Sequence, residues 1–400
     1  MVDIINKIKE QIESSKGDYV DNYSLSHGIP GVSLFLYHLG KKEGNEQLIN
    51  ESIELFLESF YSNSNLKDKK ITFFGGALGV NWLYQYYINQ GVVEKDEAFV
   101  EKFNEFILKK CIAWKNSENY DLMYGIVGAG VYFLECHKNN DDTQYLEFIY
   151  TLLDGFSSSD KDFLWWYDSN AFTDERRIKN TIDLGVAHGM PSILSLYARI
   201  YSRIENNKLK ERIKNDITKG INFLYHCAQN SPNKSSVFPC KLVDNNKFFG
   251  YPSRLGWCYG DLPIAYQILH MGVLLQDENI LNFGKTLIEV VLSRDIESGY
   301  TGIKDNCICH GIAGIIIILK KIKGIKIVEL EDKLTDAIYY WEQMLLKKVD
   351  DLGGLYTCFY DTDKDEDLLI IDPGLLEGVS GIGLALLPQE KYEWTTLLML

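Results

Sequence analysis

Apolar residues along this chain follow two alternating patterns. One is the pattern of an amphipathic surface helix: in EAFVEKFNEFILKK, Phe99, Phe103 and Phe106 recur every three or four residues, with charged residues between them. The other is a turn of glycine and small residues that leads into an almost uniformly apolar segment, as in CHGIAGIIIILKKI from Cys309. A helix that is apolar on all sides must be buried on all sides, so the alternation predicts outer helices paired with inner helices.

The glycine-turn pattern occurs seven times. Its copies can be aligned on seven glycines: Gly28, Gly76, Gly125, Gly189, Gly260, Gly311 and Gly378. Amphipathic segments lie before and between the copies, among them IINKIKEQIESS, QLINESIELFLESF, LKERIKNDITKGINFLYHC and KLTDAIYYWEQMLLKK. Self-similarity at such a loose period is typical of a repeat architecture, in which each copy is one helix pair.

Helix pairs of this kind can stack as an open solenoid or close into a ring. An open array needs polar capping repeats at its ends, but the last copy, EGVSGIGLALL from Glu377, is as apolar as the middle ones. We therefore predict an all-α fold, an α/α toroid: a double-ring barrel of seven inner and seven outer helices, with copy seven packed against copy one. The whole chain, 1–400, would form a single domain.

Two spacers between copies are long, near residues 157–183 and 230–251. We predict that both are excursions at the rim of the barrel. The second alternates like a short β hairpin around VDNN, so short β insertions are expected there. Such excursions could wall a binding cleft or be inert insertions, and the pattern does not choose between these.

Composition narrows the class of protein. A hydrophobic fraction of 46% and an aromatic fraction of 13% are those of a globular core. The formal charge of −15 argues against binding nucleic acid through its phosphates. The charged start MVDIINKIKEQIE is unlike a signal peptide, and no apolar run is long enough to span a membrane, so we expect a cytoplasmic protein. Its eight cysteines would then be reduced, and the clustered ones are candidate ligands or catalysts.

If every inner helix begins at the same glycine turn, the residues before those glycines gather at one rim of the barrel. Helix N-termini point to the same rim, where they favour anions. Residues with useful chemistry are concentrated in these positions: Asp121, Asp183, His188, Arg254, Cys258, Tyr259, Cys309 and His310. His27 holds the same place in copy one, which shows that the position alone does not make a histidine functional. We interpret His27 as structural.

Two cysteines and one histidine from neighbouring copies suit zinc. Cys258, Cys309 and His310 offer thiolate and imidazole ligands, and three protein ligands leave a fourth position open for catalysis. The alternative is that the thiols are core residues and the histidine is hydrogen-bonded in the core. Spacing alone does not decide, because no CxxC pair or fixed HxxxH spacing is present. Cys307 adds a second sulfur, but Cys309 is the one in register with Cys258.

The remaining rim residues also have two interpretations each. His188 could be a further zinc ligand or an acid/base, since the pKa of histidine lies near neutral pH. Asp121 and Arg254 could act in catalysis or form a structural ion pair. Tyr259 could be a core residue or a proton donor.

These motifs resemble those of the lanthionine synthetase C-like family, the lantibiotic cyclases. SRLGWCYGD and CHGIAG resemble its two zinc-ligand motifs, AHGMPS its histidine motif and YDLMYGIVGAG its aspartate motif. The repeat extends the resemblance over nearly the whole chain, whose length suits a stand-alone cyclase. One departure is Pro191 and Ser192, where the family more commonly has Ile-Ala-Gly. They follow the histidine, so they leave the site motif itself intact.

The resemblance implies a toroid with one zinc ion per chain and a thioether-forming activity. The zinc ligands would be Cys258, Cys309 and His310, and the active-site positions His188, Asp121, Arg254 and Tyr259. The reaction would add peptide cysteine thiols to dehydroalanine or dehydrobutyrine, forming (methyl)lanthionine rings. The implied partners are a dehydrated lantibiotic precursor peptide, a dehydratase and a peptide transporter in a membrane-associated complex.

The chemistry fits these residue types. Zinc deprotonates a bound thiol, and attack of the sulfur on the β-carbon produces an enolate that must be protonated at the α-carbon. We expect His188 to supply that proton or to take the thiol proton earlier, and Arg254 to stabilise the enolate oxygen. Asp121 would orient either His188 or Arg254, and the sequence does not choose between them.

Two other functions fit parts of the pattern. A non-catalytic scaffold could use a zinc–thiol site to hold glutathione or a partner cysteine, but the acid/base set of His188, Asp121 and Arg254 favours an enzyme. A zinc-dependent prenyltransferase β-subunit is also an α/α toroid. It would need a helical partner chain and an aspartate among its zinc ligands, and the CHG and WCYG motifs fit it poorly.

Overall fold

The computed structural model describes residues 2–19, 21–62, 70–116, 119–140, 142–168, 180–231, 236–243, 247–295, 301–361, 366–389 and 391–400. Its α-helices are α1 (Val2–Ser14), α2 (Lys16–Tyr19), α3 (Ile29–Glu43), α4 (Glu46–Ser62), α5 (Ala77–Asn89), α6 (Glu97–Asn116), α7 (Ile126–Cys136), α8 (Gln144–Asp154), α9 (Met190–Tyr201), α10 (Asn207–Gln229), α11 (Asp261–Leu275), α12 (Glu278–Leu292), α13 (Ile312–Gly324), α14 (Glu331–Leu352) and α15 (Val379–Leu386). Short 3₁₀ helices cover His137–Asn139, Val328–Leu330 and Glu393–Leu398.

Seven short strands accompany these helices in the described ranges. They are β1 (Ser158–Ser159), β2 (Leu164–Trp165), β3 (Ile182–Asp183), β4 (Lys241–Val243), β5 (Lys247–Phe249), β6 (Thr357–Asp361) and β7 (Glu366–Ile370). They pair antiparallel as β1–β2, as β3–β4–β5 and as β6–β7.

Every repeat glycine directly precedes an inner helix. Within the described residues these helices are α3, α5, α7, α9, α11, α13 and α15, and their side chains are almost entirely buried in α7, α9 and α13. The register of the glycine repeat is therefore confirmed at all seven copies.

The glycine is required because two backbone segments approach closely at each turn. At five of these turns the first helical residue donates its N–H to the carbonyl oxygen of the residue six positions before the glycine. These bonds join Ile29 to Asn22 (3.0 Å), Ala77 to Lys70 (2.9 Å), Ile126 to Asn119 (3.2 Å), Ile312 to Asp305 (3.2 Å) and Val379 to Asp372 (2.8 Å). A Cβ atom at Gly28 would lie 1.9 Å from the Asn22 oxygen, so no side chain fits there. Gly260 also has a φ of 119°, in the region that favours glycine.

Outer helices cover the inner ones. The predicted amphipathic segments form α1, α4, α6, α10 and α14, while α8 and α12 are outer helices that the sequence pattern had not singled out. Successive helices pack in pairs: α3 with α4, α7 with α8, α9 with α10, α11 with α12 and α13 with α14. The first helix, α1, packs against the last inner helix, α15.

The chain divides into two compact units. The first comprises Met1–Tyr84 and Ile303–Glu393, and the second comprises Gln85–Gly302 and Trp394–Leu400. In the first unit α15 packs between α13 and α3, which confirms the predicted contact of copy seven with copy one. In the second unit α9 packs between α7 and α11. That residues 1–400 form one domain stays a prediction.

Backbone hydrogen bonds join neighbouring copies within each unit, through the residues two positions before the repeat glycines. In the first unit the N–H of Cys309 donates to Leu376 (3.0 Å), that of Leu376 to Ser26 (3.1 Å) and that of Ser26 to Phe74 (3.0 Å). In the second unit the N–H of Ala187 donates to the oxygen of Cys258 (3.4 Å). Neighbouring turns therefore lie side by side, as the rim prediction requires within each unit.

Both long spacers contain strands. The hairpin predicted around VDNN is confirmed as β4–β5, although residues 244–246 lie outside the described residues, as do 169–179 and 232–235 of the two excursions. The hairpin β6–β7 was not predicted. Among the described helices, none is both long and apolar enough to cross a membrane.

Candidate active site

In the second unit, His188 and Asp121 form a short hydrogen bond. His188 directly precedes Gly189 at the start of α9, and Asp121 lies in the turn before α7. His188 Nδ1 lies 2.5 Å from Asp121 Oδ2, and Asp121 Oδ1 accepts the N–H of Tyr124 at 2.8 Å. Asp121 is nearly buried, with 3% of its side chain exposed, while 21% of His188 is exposed. Of the two partners left open for Asp121, the geometry therefore selects His188.

The surroundings of His188 favour its protonated form. Burial lowers the pKa of His188, but the hydrogen bond and charge of Asp121 and the charge of Asp183 outweigh burial and raise that pKa above its usual value. Two aromatic rings flank the imidazole: that of Tyr124 at 6.0 Å and that of Tyr259 at 6.1 Å between ring centroids. The imidazole therefore lies beside two tyrosine rings, and the carboxylate that orients it also raises its pKa.

Tyr259 is tied to a second buried carboxylate. Its hydroxyl donates to Asp183 Oδ2 at 2.8 Å, while Asp183 Oδ1 accepts the N–H of Gly185 at 2.8 Å. Burial and the charge of Asp183 raise the pKa of Tyr259. Because its hydroxyl is hydrogen-bonded to Asp183, Tyr259 is an oriented polar group beside His188, and a role as proton donor stays a prediction.

Arg254 and Cys258 lie in the turn before α11, also in the second unit. Arg254 is exposed, six residues before Gly260, while Cys258 is buried with 8% exposure. Close backbone packing holds this turn in place, because a Cβ atom at Gly260 would lie 1.8 Å from the carbonyl oxygen of Arg254.

In the first unit, Cys309 and His310 lie together with a glutamate. One ligand atom from each of Cys309, His310 and Glu377 lies within 4.8 Å of the other two. His310 Nε2 lies 3.1 Å from Asp305 Oδ2. Burial raises the pKa of Asp305, but its hydrogen bond with His310 and the backbone N–H groups of its own turn and of β6 outweigh burial and lower it. A carboxylate behind an imidazole is the usual support of a metal-bound histidine.

The second sulfur of the CxC pair has a different environment. Cys307 is fully buried, and its Sγ accepts the N–H of His310 at 3.4 Å within the same turn. Burial raises the pKa of the Cys307 thiol far above its usual value. Cys307 also forms a possible ligand cluster with Asp305 and His310, but Cys309 is less buried and occupies the position that Cys258 holds in its own copy.

Sequence reasoning missed three residues of these clusters. Glu377 directly precedes Gly378, the position of His188 and His310 in their copies, so the register could have found it. Asp305 precedes Gly311 by six residues, just as Asp183 precedes Gly189. Lys241, whose Nζ lies 3.1 Å from Asp183 Oδ2, is in the second excursion and carries no repeat signal.

His27 also has an aspartate partner. Its Nδ1 forms a very short contact with Asp372 Oδ2, and 41% of the His27 side chain is exposed. The hydrogen bond to Asp372 raises the pKa of His27, burial opposes that shift, and the charges of Asp372 and Glu377 add to it. The pair occupies the first unit, which also holds Cys309 and His310.

The sequence and the fold both relate this chain to known proteins. The sequence profile described as lanthionine synthetase C-like protein matches residues 19–399. The chain belongs to that family, as the motif resemblance predicted. Among solved structures, nisin cyclase matches with a TM-score of 0.70 and 20% sequence identity over 99% of this chain and 96% of that chain. This likeness confirms the predicted fold class, an all-α chain with the α/α-toroid fold.

Other comparisons add little. A glycosyl hydrolase of family 88 from Bacteroides vulgatus matches over 78% of this chain and 88% of that chain, with a TM-score of 0.43 and 12% identity. That likeness is too weak to support a conclusion. No curated protein matches the sequence.

Proposed function

We propose that this protein is a zinc-dependent lantibiotic cyclase. It would close lanthionine and methyllanthionine rings by adding peptide cysteine thiols to dehydroalanine or dehydrobutyrine in a dehydrated precursor peptide. Membership of the lanthionine synthetase C-like family supports this class of substrate, and the fold shared with nisin cyclase is consistent with it.

The pairing of His188 with Asp121 is the observation that carries the proposal. An imidazole held at 2.5 Å by a nearly buried carboxylate, with a raised pKa, is the arrangement of a general acid. The pair His27–Asp372 has the same design, but His188 is less exposed than His27 and lies beside the rings of Tyr124 and Tyr259. The site therefore favours an enzyme over the non-catalytic alternative.

The donor set of the first unit fits a zinc ion. Cys309 and His310 offer sulfur and nitrogen within 4.8 Å, and Asp305 supports the imidazole from behind through Nε2. We assign the zinc ligands to Cys309, His310 and, by its motif, Cys258. When bound, zinc would supply the positive charge that converts a substrate thiol to a thiolate near neutral pH. Glu377 would add negative charge beside these ligands.

The remaining steps use this chain's own residues. As the sulfur–carbon bond forms, the π electrons of the dehydro residue move toward the neighbouring carbonyl, leaving an enolate. His188 would deliver a proton from Nε2 to the α-carbon, because Nδ1 is bonded to Asp121. The net result is addition of S–H across the double bond. His188 would then recover the proton lost by the next thiol.

Arg254 and Tyr259 have supporting roles in this proposal. The exposed guanidinium of Arg254 would stabilise the enolate oxygen, since a positive charge is most useful where negative charge develops. Tyr259 would hold the imidazole of His188 from one side, with its hydroxyl fixed on Asp183.

The proposal also includes partners and location. The dehydrated precursor peptide would come from a dehydratase and leave through a peptide transporter, so a complex of the three at the cytoplasmic face of a membrane is the expected setting. No nucleic acid takes part.

Zinc content, measured by elemental analysis, is the first test. We expect about one zinc per chain in the wild type, with the metal lost in Cys258→Ala and in Cys309→Ala. Cys307→Ala is the matched control: it removes a sulfur two residues from Cys309 that is engaged with its own turn, so zinc should be retained. The same variants should then be assayed for cyclisation of a chemically dehydrated peptide, with the remaining peptide thiols counted by alkylation. We expect cyclisation in the variants that retain zinc and none in those that lose it.

Two results would contradict the proposal. Purified wild type without zinc would leave Cys258, Cys309 and His310 as core residues. Zinc-loaded protein that leaves every peptide thiol open to alkylation would instead support the non-catalytic scaffold.

A further inference from the structure

The second excursion places a lysine opposite a buried aspartate of the active site. Strand β4 pairs antiparallel with β3, and the register sets Lys241 directly across from Asp183. The pairing continues one residue further, where the N–H of Leu184 donates to the carbonyl oxygen of Cys240 at 3.0 Å. Because Asp183 begins the turn that carries His188, the excursion is attached to the catalytic turn itself.

The Asp183 side chain has no exposed surface, and burial raises its pKa while the charge of Lys241 opposes that rise. Lys241 Nζ lies 3.1 Å from Asp183 Oδ2 and donates to Asp168 Oδ2 at 2.7 Å. The lysine side chain is 30% exposed and that of Asp168 25% exposed, so the charge of Lys241 is shared between one buried and one partly exposed carboxylate. Lys241 thus compensates the charge of a carboxylate that water does not reach.

The same carboxylate oxygen holds Tyr259. Asp183 Oδ2 accepts both Lys241 Nζ, at 3.1 Å, and the Tyr259 hydroxyl, at 2.8 Å. The tyrosine ring also packs closely on the turn: a Cβ atom at Gly185 would lie 2.6 Å from Tyr259 Cε1. The position of the ring therefore depends on where Asp183 sits.

We propose that Lys241 is a positioning residue of the active site, which acts through Asp183 to hold Tyr259 beside His188. This inference rests on the proposed cyclase function for its kinetic consequence, although the geometry of the four residues stands by itself. Under this proposal the second excursion contributes a residue to the active site and is not an inert insertion.

A second lysine in the same unit makes a matched comparison. Lys138 Nζ lies 2.9 Å from Glu135 Oε1, with 32% of the lysine and 1% of the glutamate exposed. Glutamine at either position removes the cation from a buried carboxylate, so the two substitutions carry similar structural costs. Only Lys241 is connected to Tyr259 through its carboxylate.

The experiment compares Lys241→Gln with Lys138→Gln, each in the wild-type and Tyr259→Phe backgrounds. We expect Lys241→Gln to lower kcat for cyclisation about 10- to 100-fold with little change in KM, because a displaced catalytic group costs rate more than binding. Lys138→Gln should stay within about threefold of wild type, and Lys241→Arg should recover most of the lost rate. In the Tyr259→Phe background, Lys241→Gln should lower kcat little further. The effects of substitutions within one hydrogen-bond network do not simply add.

An equal loss of kcat from Lys241→Gln in both backgrounds would overturn the proposal, as would an equal loss from Lys138→Gln. If Lys241→Gln does not fold, the double variant Lys241→Gln/Asp183→Asn removes both charges together and leaves no buried unpaired ion. It should show the same fall in kcat.

A readout independent of activity separates this inference from the proposed function. In protein labelled with 3-fluorotyrosine, the ¹⁹F resonance of Tyr259 is the one missing from Tyr259→Phe. It should shift in Lys241→Gln and stay in place in Lys138→Gln. An unmoved resonance overturns the positioning role. If the resonance shifts in Lys241→Gln but the wild-type protein cyclises no peptide, the positioning role is retained and the cyclase function is discarded.

Discussion

Two histidine–aspartate pairs in this molecule share one local design. His188 and His27 each directly precede a repeat glycine, and each presents Nδ1 to an aspartate from a neighbouring copy, Asp121 and Asp372. In both pairs the hydrogen bond raises the pKa of the histidine. The repeat by itself therefore generates a histidine–carboxylate pair, whether or not the pair is used in catalysis.

The two pairs differ in their surroundings. His188 is 21% exposed and lies beside the rings of Tyr124 and Tyr259, whereas 41% of the His27 side chain is exposed. Asp121 is also more deeply buried than Asp372, at 3% against 10% exposure. A charge–dipole arrangement is stronger where water is excluded, so we place the acid of the reaction at His188. The comparison teaches that the repeat position produces the histidine–aspartate pair, whereas the residues around the pair decide whether it has a catalytic function.

Replacing the histidines should give the largest contrast. We expect His188→Ala to lower kcat for cyclisation about 1,000-fold, within the range of a lost general acid, and His27→Ala to leave kcat within about threefold. The rate of loss of peptide thiols, followed by alkylation and mass spectrometry, measures both. A similar fall in kcat in both variants would contradict the proposed functional difference between the two pairs.

Replacing the aspartates should give a smaller contrast and a pH effect. Asp121→Asn removes a charge that raises the pKa of His188. The imidazolium is present below that pKa and is lost as pH rises through it, so the alkaline fall in kcat should move to lower pH in this variant. Near pH 8 we expect a loss of about 10- to 100-fold, against about twofold for Asp372→Asn.

The full rate profile between about pH 6 and pH 9 would check this. If kcat falls at the same alkaline pH in Asp121→Asn as in the wild type, His188 is not the group whose protonation limits the rate.

The His27–Asp372 pair should have the smallest effect, on stability alone. The pKa of His27 is raised in the folded protein, so the pair stabilises fully below the unfolded pKa of histidine and this contribution disappears as pH rises through the folded pKa. Because more than a third of the His27 side chain is exposed, the contribution should be below about 1 kcal/mol.

Thermal unfolding of wild type and His27→Ala at about pH 5.5 and pH 8.5 would test it. The difference in Tm should be larger at the lower pH. A difference that grows toward the higher pH would show that the pair is not ionic.

Much of the architecture could be predicted from the chain because it depends on local patterns. The seven glycines predict seven helix starts, and each glycine is required by a close backbone approach such as that of Gly28 to Asn22. The outer helices α8 and α12 were missed although their buried residues recur every three or four positions, as Leu146, Ile149 and Leu153 do in α8. The hairpin β6–β7 was missed because exposed apolar residues such as Leu369 obscure its alternation.

The candidate site could be predicted in part. Register alone places Cys309 ahead of Cys307 as a ligand, and the buried, hydrogen-bonded environment of Cys307 agrees with that choice. The same register would have included Glu377 had it been applied to every copy. Lys241 could not be found in this way, because its role follows from a strand pairing in an excursion outside the repeat.

The sequence by itself determined which residues begin the inner helices and which polar groups lie beside them, because a glycine turn is a local structure with one close backbone contact. Only the tertiary structure decided the long-range partners: Asp121 with His188, and Asp183 with Tyr259 and Lys241. Hydrogen bonds form only within about 3 Å, whereas Asp121 and His188 are 67 residues apart in the chain. Spacing along the chain does not show which distant residues come within hydrogen-bond distance. The packing of neighbouring turns decides that.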